Sequence, residues 1–374
     1  MPPLLRPLGF LWLALVFSGC GSSGSPISTD VSVAPVVTPA NPTTPTNPTA
    51  SPMQYHAFGD SITSGLTLSA PQSQAYPFLV STAKNLVLTN LGVRGDMTCD
   101  LFRDAIYPYA EEPTSTEVRI SSLMIGTNDV DIRGSGSYLR TFNICHRALI
   151  AWLGTPRENK LKAGDSGIDV SGGCNNAPDA TVFGGLLCTS AGTITAAHLS
   201  TSGNPIYVWY QIDDYAGTNA RFELLIDGVS QGYFATAPDV PMFTQHRGTT
   251  AVALARIAAA AGDHHIEIKT PLGGIAIQGI GSNPSRTLAS PQILLVGDIP
   301  NQLASSPISS ASGQLLYSTE IKANIKLFAS DGMDVRFVPD RSYMFGTSAE
   351  MNDPLHPNIL GQQHLASAFL AALQ

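Results

Sequence analysis

Short apolar runs alternate with amphipathic stretches towards both ends of the sequence. Apolar runs bounded by turn residues predict buried strands, and apolar residues at helical spacing predict helices. The predicted strands cover about 54–58, 85–90 (a buried second strand), 118–125, 292–296 and 333–338, and the predicted helices cover 75–84, 138–153, 314–329 and the segment that Asn358 caps. This alternation predicts an α/β fold, a flavodoxin-like doubly wound parallel sheet in three α/β/α layers with strand order 2-1-3-4-5.

The pattern changes between about residues 164 and 290, where Gly and Thr are frequent and short alternating segments follow one another. Arg221–Ile226 and Val229–Phe234 flank Asp227-Gly228, which is a hairpin signal. Ala251–Ala261 fits a helix by propensity, but its neighbours favour a strand at 250–254. Many short strands predict an antiparallel β-sandwich inserted into the α/β domain. The predicted division is therefore an α/β domain of residues 53–163 and 291–374, with a module of residues 164–290 between its two parts.

Aromatic residues in the predicted module have two interpretations. They form a surface on which sugar rings stack, or they fill the core of the sandwich, with Trp209 facing inward. The second interpretation is favoured for the individual residues, which are Tyr207, Trp209, Tyr210, Tyr215 and Tyr233.

The first 52 residues are predicted to stay outside the folded part. Arg6 precedes an apolar run at 8–17 that is too short to span a membrane and is typical of a signal peptide. The run ends in Val16-Phe17-Ser18-Gly19-Cys20, which resembles a bacterial lipobox with Cys20 as the lipidated residue; a plain cleaved signal is the alternative. Residues 21–52 are rich in Ser, Thr and Pro and predict a disordered tether. The expected location is the bacterial cell envelope, with a lipid anchor at Cys20 and the protein facing the periplasm or the exterior.

The charge of the sequence argues against one class of binding partner, and its cysteines indicate disulfides. The net charge is −8 and the sequence has no cluster of Lys and Arg, so nucleic-acid binding is not expected. Without Cys20, four of the five cysteines remain, and an oxidising compartment favours two disulfides. We expect Cys174 to pair with Cys188 and Cys99 with Cys145, although the sequence alone permits three pairings. Zinc is the rival explanation, but no CxxC spacing supports it.

Four polar motifs follow predicted strands or precede the last helix. They are Gly59-Asp60-Ser61, Gly92-Val93-Arg94-Gly95, Gly126-Thr127-Asn128-Asp129 and Asp353-Pro354-Leu355-His356. Open α/β sheets bind their ligands at the carboxyl ends of the strands. A serine there becomes a nucleophile when a histidine removes its proton and an acid orients that histidine. Ser61, His356 and Asp353 suit these roles, and Pro354 and Pro357 stiffen the loop that holds the last two.

In order and spacing, the four motifs resemble those of the SGNH (GDSL-type) hydrolase superfamily. The resemblance covers about 200 residues, an ordinary domain size, and breaks at the insertion. It implies a catalytic triad of Ser61, Asp353 and His356. It also implies an oxyanion hole formed by the backbone N–H groups of Ser61 and Gly95 and the side-chain amide of Asn128. Asp60 is expected to stabilise the turn rather than to act as the catalytic acid.

The resemblance implies a serine esterase that cleaves carboxylic esters through an acyl-serine intermediate, without a cofactor or metal. The expected substrate is an acetylated carbohydrate or a short-chain acyl ester. A lysophospholipase or thioesterase activity is the alternative, as is a non-catalytic carbohydrate-binding surface lipoprotein. The sequence does not indicate an oligomeric state. His146, His264, His265 and His364 are expected to be structural, and no metal-binding spacing is present.

Overall fold

The structure is a computed structural model. It describes residues 53–107, 118–133, 138–177, 185–213, 220–236, 250–283, 292–303, 306 and 311–374. The predicted signal peptide, Cys20, the tether and Tyr215 lie outside the described residues. No helix in these ranges is long and apolar enough to cross a membrane.

The chain begins with alternating strands and helices, as the hydrophobic pattern predicts. The elements are β1 (Gln54–Gly59), α1 (Ser61–Ser64), α2 (Pro71–Gln74), α3 (Tyr76–Lys84), β2 (Val87–Gly92), a π-helix (Phe102–Ile106), β3 (Arg119–Met124), α4 (Thr127–Arg133) and α5 (Leu139–Gly154). A short 3-10 helix (Arg157–Asn159) then leads into a run of strands. These are β4 (Lys160–Leu161), β5 (Ile168–Ala177), β6 (Gly185–Ser202), β7 (Ile206–Asp213), β8 (Arg221–Ile226), β9 (Val229–Ala235), β10 (Thr250–Ile257), β11 (Ala261–Thr270) and β12 (Ile275–Ser282).

Alternation of strands and helices returns in the last third. The elements are β13 (Gln292–Gly297), α6 (Ala311–Ser330), β14 (Asp334–Val338), a 3-10 helix (Asp340–Ser342) and α7 (Ile359–Ala372). Strands β1, β2, β3, β13 and β14 form one sheet in the order β14-β13-β3-β1-β2, with every neighbouring pair parallel. This order is the predicted 2-1-3-4-5 arrangement.

Helices pack on both faces of the parallel sheet because successive strand residues point to opposite sides. Tyr55 and Ala57 of β1 are buried on one face with residues of α3 and α7. Phe58 is buried on the other face, with residues of α5 and α6.

The prediction for the second strand was wrong in two respects. The strand begins at Val87, because Asn85 ends α3 in the left-handed conformation, which asparagine tolerates (φ +52°). The strand is also not buried: β2 lies at the edge of the sheet, and its residues are half-buried or exposed. An apolar run does not distinguish an edge strand from a central one.

The inserted strands β4–β12 form a nine-stranded antiparallel system. The long strand β6 pairs with β12 near its start and with β11 further on, so it joins two sets of strands. Residues of both sets, such as Val208 of β7 and Ile268 of β11, share one apolar core. The predicted antiparallel, β-rich insertion is therefore observed, and the ambiguous segment at 250–261 begins with strand β10.

Strand β7 uses both of its faces for burial. Ile206 and Val208 point into the core of the insertion, whereas Tyr207 and Trp209 pack against helices α5 and α6. Trp209 donates its Nε1–H to the carbonyl oxygen of Ala148 at 3.1 Å, and its ring meets that of Trp152 edge-on at 5.1 Å. These two aromatic residues are buried, as the favoured interpretation predicts, but they face helices α5 and α6 rather than the apolar core of the inserted strands.

Both disulfides have the predicted partners, Cys99 with Cys145 and Cys174 with Cys188. Cys174 and Cys188 lie opposite each other on the paired strands β5 and β6. Cys99 follows β2, and Cys145 lies on α5, so this bridge ties a loop beyond the sheet to a helix that contacts the insertion.

Helix α7 begins at a polar cap next to the last sequence motif. The Asn358 side chain accepts hydrogen bonds from the N–H groups of Leu360 and Gly361 at 2.9 and 3.2 Å. Its amide also donates to the carbonyl oxygen of Ala349 at 2.8 Å. The cap therefore connects the start of the helix to the segment that precedes the Asp353–His356 loop.

Removing this cap is expected to destabilise the protein by about 1 kcal/mol. Asn358→Ala loses the side-chain oxygen that accepts the first-turn N–H groups. Asn358→Ser keeps a side-chain oxygen that can accept them and serves as the control. Urea unfolding of both variants beside the wild type measures the difference. An alanine variant as stable as the wild type would show that water replaces the cap without cost.

Candidate active site

Three of the four motifs begin where adjacent parallel strands end together. Gly59 of β1 is in register with Gly92 of β2 and with Met124 of β3. The N–H of Val93 also donates to the carbonyl oxygen of Gly59 at 2.9 Å, so the first two loops start side by side. The register therefore brings the loops that follow these strands to one edge of the sheet.

Ser61 is the first residue of helix α1 and is nearly fully buried. Asp60 caps this helix by accepting the N–H of Ile62 at 2.9 Å, the turn-stabilising role that the sequence predicts. Gly59 cannot be larger, because a Cβ there would collide with the side chain of Thr63 and the carbonyl oxygen of Met124. This tight turn holds the Ser61 hydroxyl at the end of β1.

His356 reaches Ser61 across 295 residues of sequence. The distance from Ser61 Oγ to His356 Nε2 is 3.0 Å. On the other side of the ring, His356 Nδ1 lies 2.8 Å from Asp353 Oδ2 and 3.0 Å from Asp353 Oδ1. A carboxylate at Nδ1 requires a proton there, which leaves Nε2 as the acceptor that faces the serine. The three side chains therefore form one hydrogen-bonded chain.

The loop that holds Asp353 and His356 is closed by its own backbone. The N–H of Asn352 donates to the carbonyl oxygen of His356 at 2.9 Å, and Met351 forms a β-bridge with Pro357. Asp353 Oδ1 also accepts the N–H groups of Leu355 and His356, at 2.8 and 2.7 Å. Partial burial works to raise the pKa of Asp353, but the hydrogen bonds from Leu355 and His356 outweigh it and lower that pKa. The carboxylate is thus kept ionised beside the imidazole.

Asp96, the residue after Gly95, connects the Gly95 loop to Asn128. Gly95 adopts a left-handed conformation (φ +81°), which favours glycine at this turn. Asn128 Nδ2 donates to the carbonyl oxygen of the next residue, Asp96, at 2.8 Å. One N–H of the Asn128 amide thereby holds the Gly95 loop, and the amide has a second N–H to donate. Ser61 at the start of α1, Gly95 in the loop after β2 and Asn128 at the start of α4, the predicted oxyanion donors, thus lie on neighbouring segments that hydrogen bonds tie together.

Buried acidic residues lie behind these loops. Burial, together with the nearby charge of Asp129, raises the pKa of Asp60 to about 7, although the hydrogen bond from Ile62 works against this shift. Burial also raises the pKa of Asp129 to about 7, although its carboxylate accepts the N–H and hydroxyl of Thr98, both at 3.0 Å. Asp129 therefore fastens the loop after Gly95 to the start of α4, a role that the sequence analysis did not assign.

Two further polar residues, which the sequence analysis missed, join the segment around His356 to the segment that follows Ser61. Gln362 of α7 donates to the carbonyl oxygen of Ile62 at 3.1 Å and accepts the N–H of Tyr76 at 2.8 Å. Asn352 donates to both the hydroxyl and the carbonyl oxygen of Thr67, at 3.0 and 3.2 Å. Thr67 has a positive φ of +75°, which is costly for a β-branched residue. These contacts hold the Ser61 and His356 segments against each other.

The histidines that the sequence analysis expects to be structural have partners away from Ser61. His146 is buried between helices, and burial, followed by the charge of Arg147, lowers its pKa to about 3. His364 lies 2.6 Å from Glu350, and His264 lies 2.7 Å from Asp227. Within the described ranges, no group of three or more His, Cys, Asp and Glu side chains is arranged to hold a metal ion.

Comparison with known proteins finds likeness in solved structures alone. No family model matches the sequence, and no curated protein matches it. A two-domain esterase active on acetylated mannans is 13% identical, with a TM-score of 0.35, over 63% of this chain and 91% of that protein. A member of the lipolytic G-D-S-L family from Veillonella parvula is 13% identical, with a TM-score of 0.37, over 85% and 97%. The carbohydrate-binding module CBM35 from Paenibacillus barcinonensis is 15% identical, with a TM-score of 0.24, over 32% and 94%.

Proteins of the GDSL type are thus among the solved structures that this chain resembles, as the four motifs also indicate. Identities and TM-scores this low carry no statement about activity. Any function of this chain has to be inferred from its own residues.

The raised pKa of Asp60 predicts a pH-dependent stability. The folded state keeps a proton that the unfolded chain releases, so this contribution is complete below about pH 4 and is lost as the pH rises through about 7. Asp60→Asn can still cap the helix but cannot ionise. From about pH 5 to about pH 8, we expect the wild type to lose about 2–3 kcal/mol more stability than this variant.

Urea unfolding at the two pH values measures this difference. Asp169→Asn removes the same charge from an exposed strand position and is the control. Equal pH dependence in the wild type and Asp60→Asn would contradict the assignment of a buried, protonated Asp60.

Proposed function

We propose that this chain is an SGNH-type serine ester hydrolase that acts outside the cytoplasm. The observation that carries the proposal is the hydrogen-bonded chain from Ser61 through His356 to Asp353, with distances of 3.0 and 2.8 Å. A nucleophile, a base and an orienting acid in this sequence of contacts are what acyl transfer requires.

In the first step, Ser61 Oγ attacks the ester carbonyl carbon while His356 Nε2 takes the hydroxyl proton. The imidazole becomes a cation, and the Asp353 carboxylate stabilises it through Nδ1–H. The low pKa of Asp353 supports this role because the acid stays ionised when the histidine is neutral. The attack converts the carbonyl oxygen into an oxyanion.

The oxyanion needs donors that are already in position. The backbone N–H groups of Ser61 and Gly95 and the second N–H of the Asn128 amide are the proposed donors. The contact between Asn128 and the carbonyl oxygen of Asp96 supports this proposal, because it orients the amide and fixes the loop of Gly95 with one bond.

Collapse of the intermediate releases the alcohol, which leaves with the proton that His356 returns. The acyl group is then bonded to Ser61 Oγ. A water molecule attacks this second ester while His356 Nε2 accepts its proton, and the acid is released as the proton returns to Ser61. Each step uses the same base and the same oxyanion donors.

The proposed substrate is an acetylated carbohydrate or another short-chain acyl ester. An insertion of antiparallel strands packed on helix α5 supports a carbohydrate, because such modules commonly present surfaces for sugars. We also propose the division into a hydrolase domain, residues 53–163 and 291–374, and an inserted module, residues 164–290. A lipid anchor at Cys20 would place both at the cell envelope, and two disulfides support an oxidising compartment.

Two other functions use the same features differently. A lysophospholipase or thioesterase would use the same triad on a longer acyl chain or a thioester. Exposed Ile359 and Leu360, shortly after His356, would suit an apolar chain. A carbohydrate-binding surface lipoprotein would need no reaction at Ser61, and the intact triad geometry argues against it.

Substitution of the proposed nucleophile is the direct test. Ser61→Ala in the full-length protein is expected to lose nearly all hydrolysis of p-nitrophenyl acetate, butyrate and octanoate, because no hydroxyl remains to form the acyl intermediate. Ser69→Ala changes an exposed serine in the same segment and is the matched control. The trend in kcat/KM with chain length separates an acetylesterase from a lipase-like enzyme.

Equal rates for Ser61→Ala and wild type would reject Ser61 as the nucleophile. No hydrolysis by the wild type of any of these esters, of acetylated xylan and mannan oligosaccharides, or of acyl thioesters would favour the non-catalytic function. Mass spectrometry of the protein after rapid quenching supplies a second readout, an acyl group on Ser61 in the wild type alone.

The proposed oxyanion hole predicts a separate effect. Asn128→Ala is expected to lower kcat by about 10²–10³, with a smaller change in KM, because the lost donor acts on charge that develops in the transition state. Asn176→Ala, in the inserted strands, is the control. Thermal unfolding shows whether Asn128→Ala remains folded, and an unchanged kcat in a folded variant would remove Asn128 from the site.

A further inference from the structure

A pocket of about 540 Å³ lies between the two segments that carry Ser61 and His356. One wall is formed by residues 67–69, which follow helix α1. The other wall is formed by Asn352 and the first turn of α7, which lie on either side of His356 in the sequence. The volume is within the usual range for small-molecule sites.

Both walls are bonded directly to the segments of the proposed triad. The N–H of Leu66 donates to the carbonyl oxygen of Ser61, and the N–H of Asn352 donates to the carbonyl oxygen of His356, both at 2.9 Å. The side chain of Asn352 then crosses to Thr67 and joins the two walls. The pocket is therefore a continuation of the seam at which Ser61 and His356 meet.

The pocket and the proposed oxyanion donors lie on opposite sides of the sheet. Ile62 and Met351, which neighbour the triad segments, pack with α3 and α7 on one face. Leu101 and Val130, near the proposed oxyanion donors, pack with α5 and α6 on the other face. The pocket thus lies on the side from which His356 approaches the serine.

The proposed reaction assigns one part of the ester to each side. The carbonyl oxygen turns towards Gly95 and Asn128, and His356 Nε2 returns its proton to the alcohol oxygen as that oxygen departs. The alcohol oxygen therefore lies next to His356. From there the alcohol part of the ester extends towards the pocket, and the acyl group stays outside it.

No charged side chain lines the pocket among the residues that the structure describes. The carboxylate of Asp353, next to Asn352 in the sequence, accepts hydrogen bonds from Leu355 and His356. A phosphate or carboxylate on the alcohol would find no cation in the lining to pair with. The lining therefore favours a neutral alcohol over the charged head group of a lysophospholipid.

Two amides at the pocket are held in fixed orientations. Asn352 Nδ2 donates to the hydroxyl and the carbonyl oxygen of Thr67, which leaves its Oδ1 as an acceptor. Asn358 accepts the first N–H groups of α7 and donates one N–H to a backbone carbonyl, which leaves its second N–H as a donor. A hydroxyl group both donates and accepts, so this pair suits a sugar. Ser69 also borders the pocket, but its hydroxyl donates to Gln74 at 3.3 Å and is not counted among the ligand contacts.

Aliphatic surface lies beside these amides. Ile359 and Leu360 are 45% and 39% exposed, whereas Leu365 and Phe369 further along α7 are buried in the cluster with α3. Two exposed branched side chains in succession offer a flat apolar contact. A pyranose ring has C–H faces and a rim of hydroxyl groups, which matches this combination of aliphatic and amide groups.

Thr67 is held in a strained conformation at the pocket wall. Its φ of +75° is rare for a β-branched residue. Such strain persists only where surrounding contacts impose it, and it is concentrated at functional sites. The two hydrogen bonds from Asn352 are contacts of this kind. The wall is therefore fixed in shape before a ligand arrives.

We propose that this pocket binds the alcohol part of the ester, which is a neutral sugar unit. This inference rests on the proposed function and adds to it the absence of charge on the sugar and the side of Ser61 on which the sugar lies. Hydroxyl groups of the sugar meet Asn352 and Asn358, and a C–H face of the ring lies against Ile359 and Leu360.

Hydrolysis of two ester series by the full-length protein tests the proposal. In the first series the acyl group is always acetyl, and the alcohol is ethanol or the methyl glycoside of glucose, mannose, xylose or glucuronate. In the second series the alcohol is always p-nitrophenol, and the acyl group is acetyl, butyryl or octanoyl. At least one neutral glycoside acetate is expected to have a kcat/KM more than about tenfold above those of ethyl acetate and the glucuronoside acetate, because only a neutral sugar makes all of the proposed contacts.

Substitutions locate the alcohol site. Ile359→Ser combined with Leu360→Ser is expected to lower the ratio of kcat/KM for this glycoside acetate to kcat/KM for ethyl acetate about tenfold. The ratio between p-nitrophenyl butyrate and acetate, which share one alcohol, is expected to stay the same. Gln363→Ala changes an exposed side chain of the pocket and is expected to lower the first ratio about threefold, so it tests the site even if the double variant unfolds. Leu272→Ser changes a leucine that is 61% exposed between β11 and β12 and is the control.

Binding to a protein without the Ser61 hydroxyl separates this inference from the proposed function. By NMR titration, Ser61→Ala is expected to bind the same glycoside acetate, and the added Ile359→Ser and Leu360→Ser substitutions are expected to weaken this binding about tenfold. If the wild type hydrolyses no ester, the proposed function fails, and this titration alone decides whether the pocket binds a sugar.

Three outcomes would overturn the proposal. The first is that no neutral glycoside acetate is hydrolysed faster, or bound more tightly, than ethyl acetate. The second is that the folded double variant and Gln363→Ala behave as the wild type does. The third is that the double variant changes the ratio between butyrate and acetate but not the preference among alcohols, which would place the acyl chain in the pocket and favour the lysophospholipase alternative.

Discussion

The alignment of three strand ends is the constraint on which the rest of this site depends. Because β1, β2 and β3 stop in register at Gly59, Gly92 and Met124, the segments that carry Ser61, Gly95 and Asn128 leave the sheet at one place. A shift of β2 by one residue would turn its side chains to the other face and displace the Gly95 loop. The requirement for glycine at position 59 follows from this close approach, since the carbonyl oxygen of Met124 occupies the space of a Cβ.

The fourth segment reaches the site from the far end of the chain. Side chains rather than strand pairing hold it: Gln362 bonds to Ile62 and Tyr76, and Asn352 bonds to Thr67. Ordering such a distant contact costs chain entropy, and two buried aromatic rings, Tyr76 and Phe369, stack at 4.6 Å beside it. The contact between Ser61 and His356 therefore depends on the packing of α3 against α7.

Strand β7 packs the insertion against the helices of the α/β domain. Tyr207 and Trp209 are fully buried against α5 and α6, and Tyr207 donates to Asp331 at 2.8 Å, which also binds Arg256 of β10. Together with the disulfide from Cys99 to Cys145, this packing ties α5 on one side to the inserted strands and on the other to the Gly95 loop. Helix α5 is thus the shared element between the proposed site and the insertion.

The sequence by itself determined most strands and helices of the parallel sheet and pointed to the order of its strands, because hydrophobic period is a local property. It permitted three pairings of the four cysteines, and the structure shows the expected one. It also marked Ser61, Gly95, Asn128, Asp353 and His356 as residues that should meet. Only the tertiary structure decided that β2 is an edge strand, that Trp209 faces a helix, and that Asp129, Asn352 and Gln362 hold the loops. The pattern of apolar and polar positions along the sequence is the same whichever neighbours these residues contact. The neighbours are set by long-range packing.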